Sequence, residues 1–172
     1  NAGASADIIK IATTGSAQQD ENFSFDFNEA TTPAIQSQLV NSARTDLFKV
    51  KTISHGTNMN SKYKVGISNV KRAVDVAGSD FGSFDLQVIV NNPCQNDDGT
   101  ILENFSSLNF DEDSDNYLPR RVGDRFITID SNGKLTTTGD YPNQWSYVYV
   151  SDFGNLTGIS EELVPMGFEK LS

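Results

Sequence analysis

The chain has 172 residues and a formal charge of −10, with a pI near 4.4, a length that suits one sizeable core and is too short for two ordinary domains. The charge excludes a phosphate-backbone binding protein, which needs clustered Lys and Arg to displace counterions, and 37% hydrophobic residues with eleven Phe exclude wholesale disorder. No apolar run approaches the ~20 residues of a membrane span, and the single Cys94 cannot close an internal disulfide, so a soluble chain from a reducing compartment is expected.

The chain opens on Asn1-Ala2-Gly3-Ala4-Ser5-Ala6, with neither an initiator Met nor a signal-peptide core, and closes on the still apolar Val164-Pro165-Met166-Gly167-Phe168. These ends predict a single compact domain over 1–172 that is an internal fragment of a longer protein. Asp7 to Ala12 is an apolar run of strand length, and Phe23, Phe25 and Phe27 alternate with polar residues as a half-buried strand does. Thr32-Pro33-Ala34 reads as a helix start, with Thr32 as N-cap and Pro33 at the first helical position. Ile35 and Leu39, with Val40 and Ala43, extend that helix to about Arg44.

Leu47 to Ser54 alternates as a strand, His55 to Asn60 reads as a loop, and Tyr63, Val65 and Ile67 open another strand, so the two strands are expected to form a hairpin. Phe84 to Val90 is a further strand, meander-paired with its neighbours. Asn91-Asn92-Pro93 and Asn96-Asp97-Asp98-Gly99 are dense turn signals, after which Leu102 to Leu108 returns as an edge strand. Ser114 or Asn116 caps a short helix through Tyr117 to Val122, with Pro119 in its first turn and Gly123 ending it. Arg125–Asp130 and Lys134–Thr138 flank Ser131-Asn132-Gly133, a hairpin signal, and Trp145 to Val150 is a strand. The fold class is α+β: mainly antiparallel sheet or sandwich with about two short helices.

Chemistry is sparse in this pattern. His55 is the lone histidine and no nucleophile elbow accompanies it; it is expected to hydrogen-bond its loop neighbours. Cys94 sits in a turn-rich segment away from any histidine in sequence. Asp111, Glu112, Asp113 and Asp115 space carboxylates as a calcium loop does, but the sixth and twelfth positions from Asp111 are Asn116 and Val122, where an EF-hand needs Gly and Glu. No glycine-rich phosphate loop is present. The basic groups Lys62, Lys64, Lys71, Arg72, Arg120, Arg121 and Arg125 are expected to pair with acidic surroundings. Trp145, Tyr147 and Tyr149 make a sugar platform if exposed and core if not. The sequons at Asn22, Asn104 and Asn155 are read as unused. No catalytic, cofactor or metal residue is assigned, and no enzyme activity is expected.

Four ordered segments carry a resemblance: Ser54-His55-Gly56-Thr57-x-Met59-Asn60-x-Lys62-Tyr63-Lys64-Val65-x-Ile67, then Gly82-Ser83-Phe84-Asp85-Leu86-x-Val88, then Leu102-Glu103-Asn104-Phe105-Ser106-x-Leu108, then Asp115-Asn116-Tyr117-Leu118. Together they resemble the middle region of the contractile tail sheath proteins of myophages, over about residues 47–129, with flanks 1–46 and 130–172 family-variable. The resemblance implies a structural virion subunit, assembled in the host cytoplasm, that surrounds the tail tube and contracts to drive genome delivery. Its implied partners are other sheath subunits and the tail tube, with no nucleic acid, membrane or cofactor, and the isolated fragment is expected to be monomeric because the terminal arms that link such subunits are not evident in it. The rival expectation is a β-rich virion-surface or extracellular module that recognises glycan or calcium.

Overall fold

The computed structural model describes residues 29–129, 134–144, 146–153 and 162–169; the strands expected at 7–12 and 23–27, the sequons at Asn22 and Asn155, and Trp145 lie outside them. In chain order the elements are β1 (Glu29–Thr31), β2 (Ile35–Ser37), β3 (Asp46–His55), α1 (Gly56–Lys62), β4 (Tyr63–Lys71), β5 (Ser83–Val90), β6 (Ile101–Leu108), α2 (Leu118–Val122), β7 (Phe126–Ile129), β8 (Leu135–Thr138), β9 (Val148–Ser151) and β10 (Pro165–Phe168). This is the expected α+β class, mostly antiparallel sheet with two short helices among the described residues.

The long strand β3 organises the larger sheet. It pairs antiparallel with β1 and β2, which follow each other in the chain, and with β9, and β10 closes the far side of β2. A separate meander, β4-β5-β6, forms the second sheet, and β7-β8 form a hairpin. The expected hairpin between Leu47–Ser54 and Tyr63–Ile67 does not form: β3 and β4 lie in different sheets. The reason is α1, read in the sequence as a loop. Its His55 Nδ1 accepts the Thr57 N–H at 3.3 Å as an N-cap, and the helix buries Met59, so the chain crosses from one sheet to the other instead of reversing beside itself.

The helix expected from Thr32 to Arg44 is also absent. Thr32 N–H donates to the Val50 carbonyl at 2.9 Å, and the Thr32 hydroxyl accepts the Val50 N–H at 3.0 Å, so the would-be cap residue is a strand partner. Ile35 then pairs with Phe48 and is fully buried, whereas Leu39, on the same face of a notional helix, is 62% exposed. Asn41 and Ser42 both take positive φ, 49° and 66°, and the bridge between Val40 and Ala43 closes over them. That is a two-residue hairpin turn of the primed class, and it leaves no room for helical continuation.

The two sheets face each other across one continuous buried cluster. Phe48 and Val50 of β3 and Val148 and Val150 of β9 meet Phe84, Leu86 and Val88 of β5, Phe105 and Leu108 of β6, and Leu118 and Val122 of α2. At its centre Phe48, Phe84 and Phe110 contact one another, with ring centroids 6.0, 6.1 and 5.3 Å apart, each burial worth roughly 2–3 kcal/mol. The period-2 pattern of β5 is fully realised, its odd-numbered neighbours half-buried between inward residues.

The meander carries a bulge on each side of β5. Register slips between Ser68 and Lys71 on β4 and between Phe105 and Leu108 on β6, where Asn69 and Ser107 adopt φ of 50° and 58°. Asp85 on the central strand serves both: one carboxylate oxygen accepts the Ser107 N–H at 2.8 Å, the other the Asn69 side-chain amide at 3.3 Å. The bulge at Ser107 shifts the phase of β6, so that Leu108 as well as Phe105 faces the core.

After β6, α2 begins at Leu118 with Pro119 in its first turn and stops at Gly123, as expected. Gly123 has φ +101°, and a Cβ there would collide with the Asn143 backbone. The expected side-chain cap is not made; the Ser114 hydroxyl instead accepts the Asn116 N–H at 3.1 Å, tightening the turn that leads in. The expected pairing of the segments on either side of 131–133 forms as β7 and β8, with Phe126 opposite Thr138 and Ile129 opposite Leu135. No helix among the described residues is long and apolar enough to cross a membrane.

Candidate functional site

Most of the chemically suggestive residues are engaged locally. His55 caps α1. Cys94 is an exposed free thiol. The Asn96–Gly99 turn is stapled by its own carboxylates: Asp98 accepts the Asn92 N–H at 2.8 Å and Asp97 the Asn92 amide at 3.1 Å, with Lys64 3.8 Å from Asp98. In the second acidic segment Asp111 accepts the Asp113 N–H at 3.0 Å. Arg120 wraps this segment, donating to the Ser114 and Glu112 carbonyls at 2.9 and 3.0 Å and lying 3.8 Å from Asp115, while its guanidinium rests on the Tyr141 ring. Among the described residues no group of three or more His, Cys, Asp or Glu is placed to hold a metal ion.

Lys49 and Lys51 both lie against Asp152, at 3.7 and 3.8 Å, and several other basic residues make separate local contacts. Arg72 pairs with Asp75 at 3.3 Å within one 3-10 turn, Arg120 is spent on the acidic segment, and Arg125 donates to the Asp140 carbonyl at 3.4 Å. Asn104 is exposed on β6 and its amide donates to the Ser106 hydroxyl at 3.0 Å. Of the aromatic platform, Tyr147 packs on Tyr63 with centroids 5.3 Å apart, and Tyr149 is only 2% exposed. These rings serve packing rather than an open face.

The functional interest lies in Glu103, which the sequence pattern did not single out, and in Tyr149, which it offered as platform or core. Glu103 points inward from β6 opposite Val88 and is 4% exposed. One carboxylate oxygen accepts the Ser146 N–H at 3.2 Å; the other has no partner. Burial raises its pKa above the ordinary carboxylate range, opposed by the Ser146 hydrogen bond. The Glu103 side chain therefore ties the meander to the segment entering β9. The only sequence signal for it is a carboxylate at an inward-phased position of a strand.

Tyr149 is the second of these groups, and it is on the core side of that alternative, 2% exposed. Val50, Val148 and Val150 face the core, so the alternate residues Lys51, Ile53 and Tyr149 stand on the outer face of the larger sheet. The β7-β8 hairpin covers that face, with Phe126 stacked on Tyr149 at 5.8 Å and 23°. The Tyr149 hydroxyl is buried without a hydrogen bond of good geometry. Burial, and after it a loose hydrogen bond to Glu29 and the charges of the Glu29 and Asp152 carboxylates, pushes the phenol well above its ordinary pKa, so it is a neutral hydroxyl at any physiological pH.

Three clefts border these elements. One, of about 310 Å³, lies between the sheets beside α1, floored by Val50, Val88 and Val148 with Lys51, Lys64 and Asn60 at its walls. A second, of about 670 Å³, is polar and runs from the Asp75–Ser83 loop to Asp111, Asp113 and Ser114. The third, of about 450 Å³, lies under the β7-β8 hairpin and includes Glu29, Arg125, Phe126, Thr137 and Tyr149. None brings together a nucleophile, a base and an orienting group in the sense that acyl or phosphoryl transfer requires. Comparison with protein-family models, curated proteins and solved structures found no match.

Proposed function

We propose that the chain is part of a structural virion protein, a subunit of a contractile phage tail sheath that surrounds the tail tube and drives genome delivery by contracting. The observation that supports the reading is the ordered run α1, β4, β5, β6 and the start of α2, which falls on the four segments that resemble sheath proteins. A packed scaffold whose polar side chains are spent on turns, caps and bulges suits a subunit whose work is done by surfaces and lattice contacts. Large apolar side chains left on that surface, Val74 at 82%, Ile127 and Leu135 at 64% and Met166 at 58% exposure, are material for such contacts. The partners in this reading are other sheath subunits and the tail tube; the location is the virion tail, after assembly in the host cytoplasm.

The test is assembly. The complete open reading frame that encodes the chain, expressed with and without tail-tube protein, is expected to give helical sleeves in negative-stain electron micrographs, while the 172-residue chain alone scatters light as a monomer. A full-length product that forms no sleeve under either condition refutes the proposal.

A further inference from the structure

We propose that Glu103 is a pH-operated latch: in its neutral form it holds Ser146 and Tyr147, the entry to β9, against the β4-β5-β6 meander, and on losing its proton it lets that entry open locally so that water reaches the carboxylate. This goes beyond the sheath reading and does not depend on it. Glu103 belongs to an inward-facing row across the meander, opposite Val88, which is itself opposite Val65, and it is 4% exposed. One of its oxygens accepts the Ser146 N–H at 3.2 Å; the other has no partner. An unpaired charge in such a place costs far more than an unpaired neutral oxygen. The closed arrangement therefore favours the neutral carboxyl, whereas a hydrated carboxyl ionises freely.

The charged groups of the surrounding elements are engaged elsewhere. Asp85 of β5 serves the two bulges, Lys64 of β4 lies against Asp98, Lys49 and Lys51 of β3 lie against Asp152, Arg120 of α2 wraps the acidic segment, and Arg121 is exposed. The titratable groups beside the entry are phenols, Tyr147 packed on Tyr63 and Tyr141 on Tyr117. Burial is accordingly what raises the Glu103 pKa, and the Ser146 hydrogen bond is what opposes it. The entry itself is lightly held. Besides the Glu103 bond, the Gln144 N–H donates to the Val122 carbonyl at 3.2 Å and the Ile53 N–H to the Tyr147 carbonyl at 3.0 Å. These can part while the ladder between Lys49–Thr52 and Val148–Ser151 stays paired, an opening smaller than global unfolding.

The test is amide hydrogen exchange of the whole chain by NMR, corrected for the intrinsic rate at each pH, with the Leu86 and Val88 amides of β5 as the reference for global unfolding. The Gln144, Ser146 and Ile53 amides are expected to exchange through an opening that low urea does not promote, unlike the reference amides. Their protection is expected to fall about threefold or more between about pH 4 and about pH 8, and Glu103→Gln, which cannot ionise, is expected to flatten that dependence. A carbon-13 titration of the Glu103 carboxyl in the parent protein, which stands whether or not the variant folds, is expected to give a midpoint above the ordinary glutamate value and matching the loss of protection. Exchange of the three amides only with global unfolding, a pH dependence that persists in Glu103→Gln, or an ordinary carboxyl midpoint overturns the proposal.

Discussion

Replacing Asp85 by Ala removes, at one stroke, the acceptor for a backbone N–H on β6 and for a side-chain amide on β4. The Ser107 contact, at 2.8 Å, is a charge-assisted bond of the kind worth about 1.5–3 kcal/mol when shielded. It is solvent-accessible here, so roughly half of that survives, and the longer Asn69 contact at 3.3 Å adds a few tenths of a kcal/mol. Asn69 and Ser107 hold left-handed backbone conformations that cost about 1–2 kcal/mol per ordinary residue, a cost the carboxylate helps to offset. The expected loss is therefore about 1–2 kcal/mol, read as a lower urea midpoint at unchanged slope and a melting temperature lower by about 2–8 °C. Asp85→Asn, which keeps an oxygen for the Ser107 N–H, should lose less. Ser107→Gly, which relieves the backbone, should recover part of the loss in the Asp85→Ala background. An Asp85→Ala protein as stable as the parent, or an Asn variant as damaged as the Ala variant, would refute the view that this side chain holds the bulges.

Two further outcomes follow from buried groups. For Glu103, the folded state holds its proton more tightly than the unfolded chain does, so its contribution to stability is greatest below the ordinary carboxylate pKa and is lost as pH rises through the raised folded value. Glu103→Gln should therefore be more stable than the parent at neutral pH, with the difference shrinking as pH falls toward 4.5; urea melts of both proteins across pH 4–8 check it, and a gap that widens on acidification contradicts it. Gly123→Ala combines a φ of +101° with a backbone collision at Asn143, and should cost about 2–4 kcal/mol in chemical denaturation. A loss below about 1 kcal/mol would mean that the C-terminus of α2 re-forms differently.

Strands with an unbroken period-2 pattern were legible from residue types alone. Phe84 to Val90 and the paired arms around Asn132-Gly133 stand where alternation and turn chemistry put them, because those signals are local and every tertiary environment that buries one face reinforces them. Pro119 and Gly123 bracketed α2 for the same reason: backbone restrictions act within one or two residues. What local chemistry could not decide was the competition at Thr32 to Arg44. There a fair helical stripe lost to the edge of β3, which offered Ile35 complete burial and Thr32 two backbone partners. Nor could it show that α1, with the weakly helical sequence Gly56-Thr57-Asn58-Met59-Asn60-Ser61-Lys62, would form once His55 capped it and Met59 had a core to enter. The cleft beside Tyr149 was illegible for a related reason. Glu29, Phe126, Thr137 and Tyr149 lie more than a hundred residues apart at the extremes, and the sequence offered Tyr149 only as a sugar platform or a core residue. It took the β7-β8 hairpin folding over the outer face of β3 and β9 to bury that hydroxyl beside Glu29.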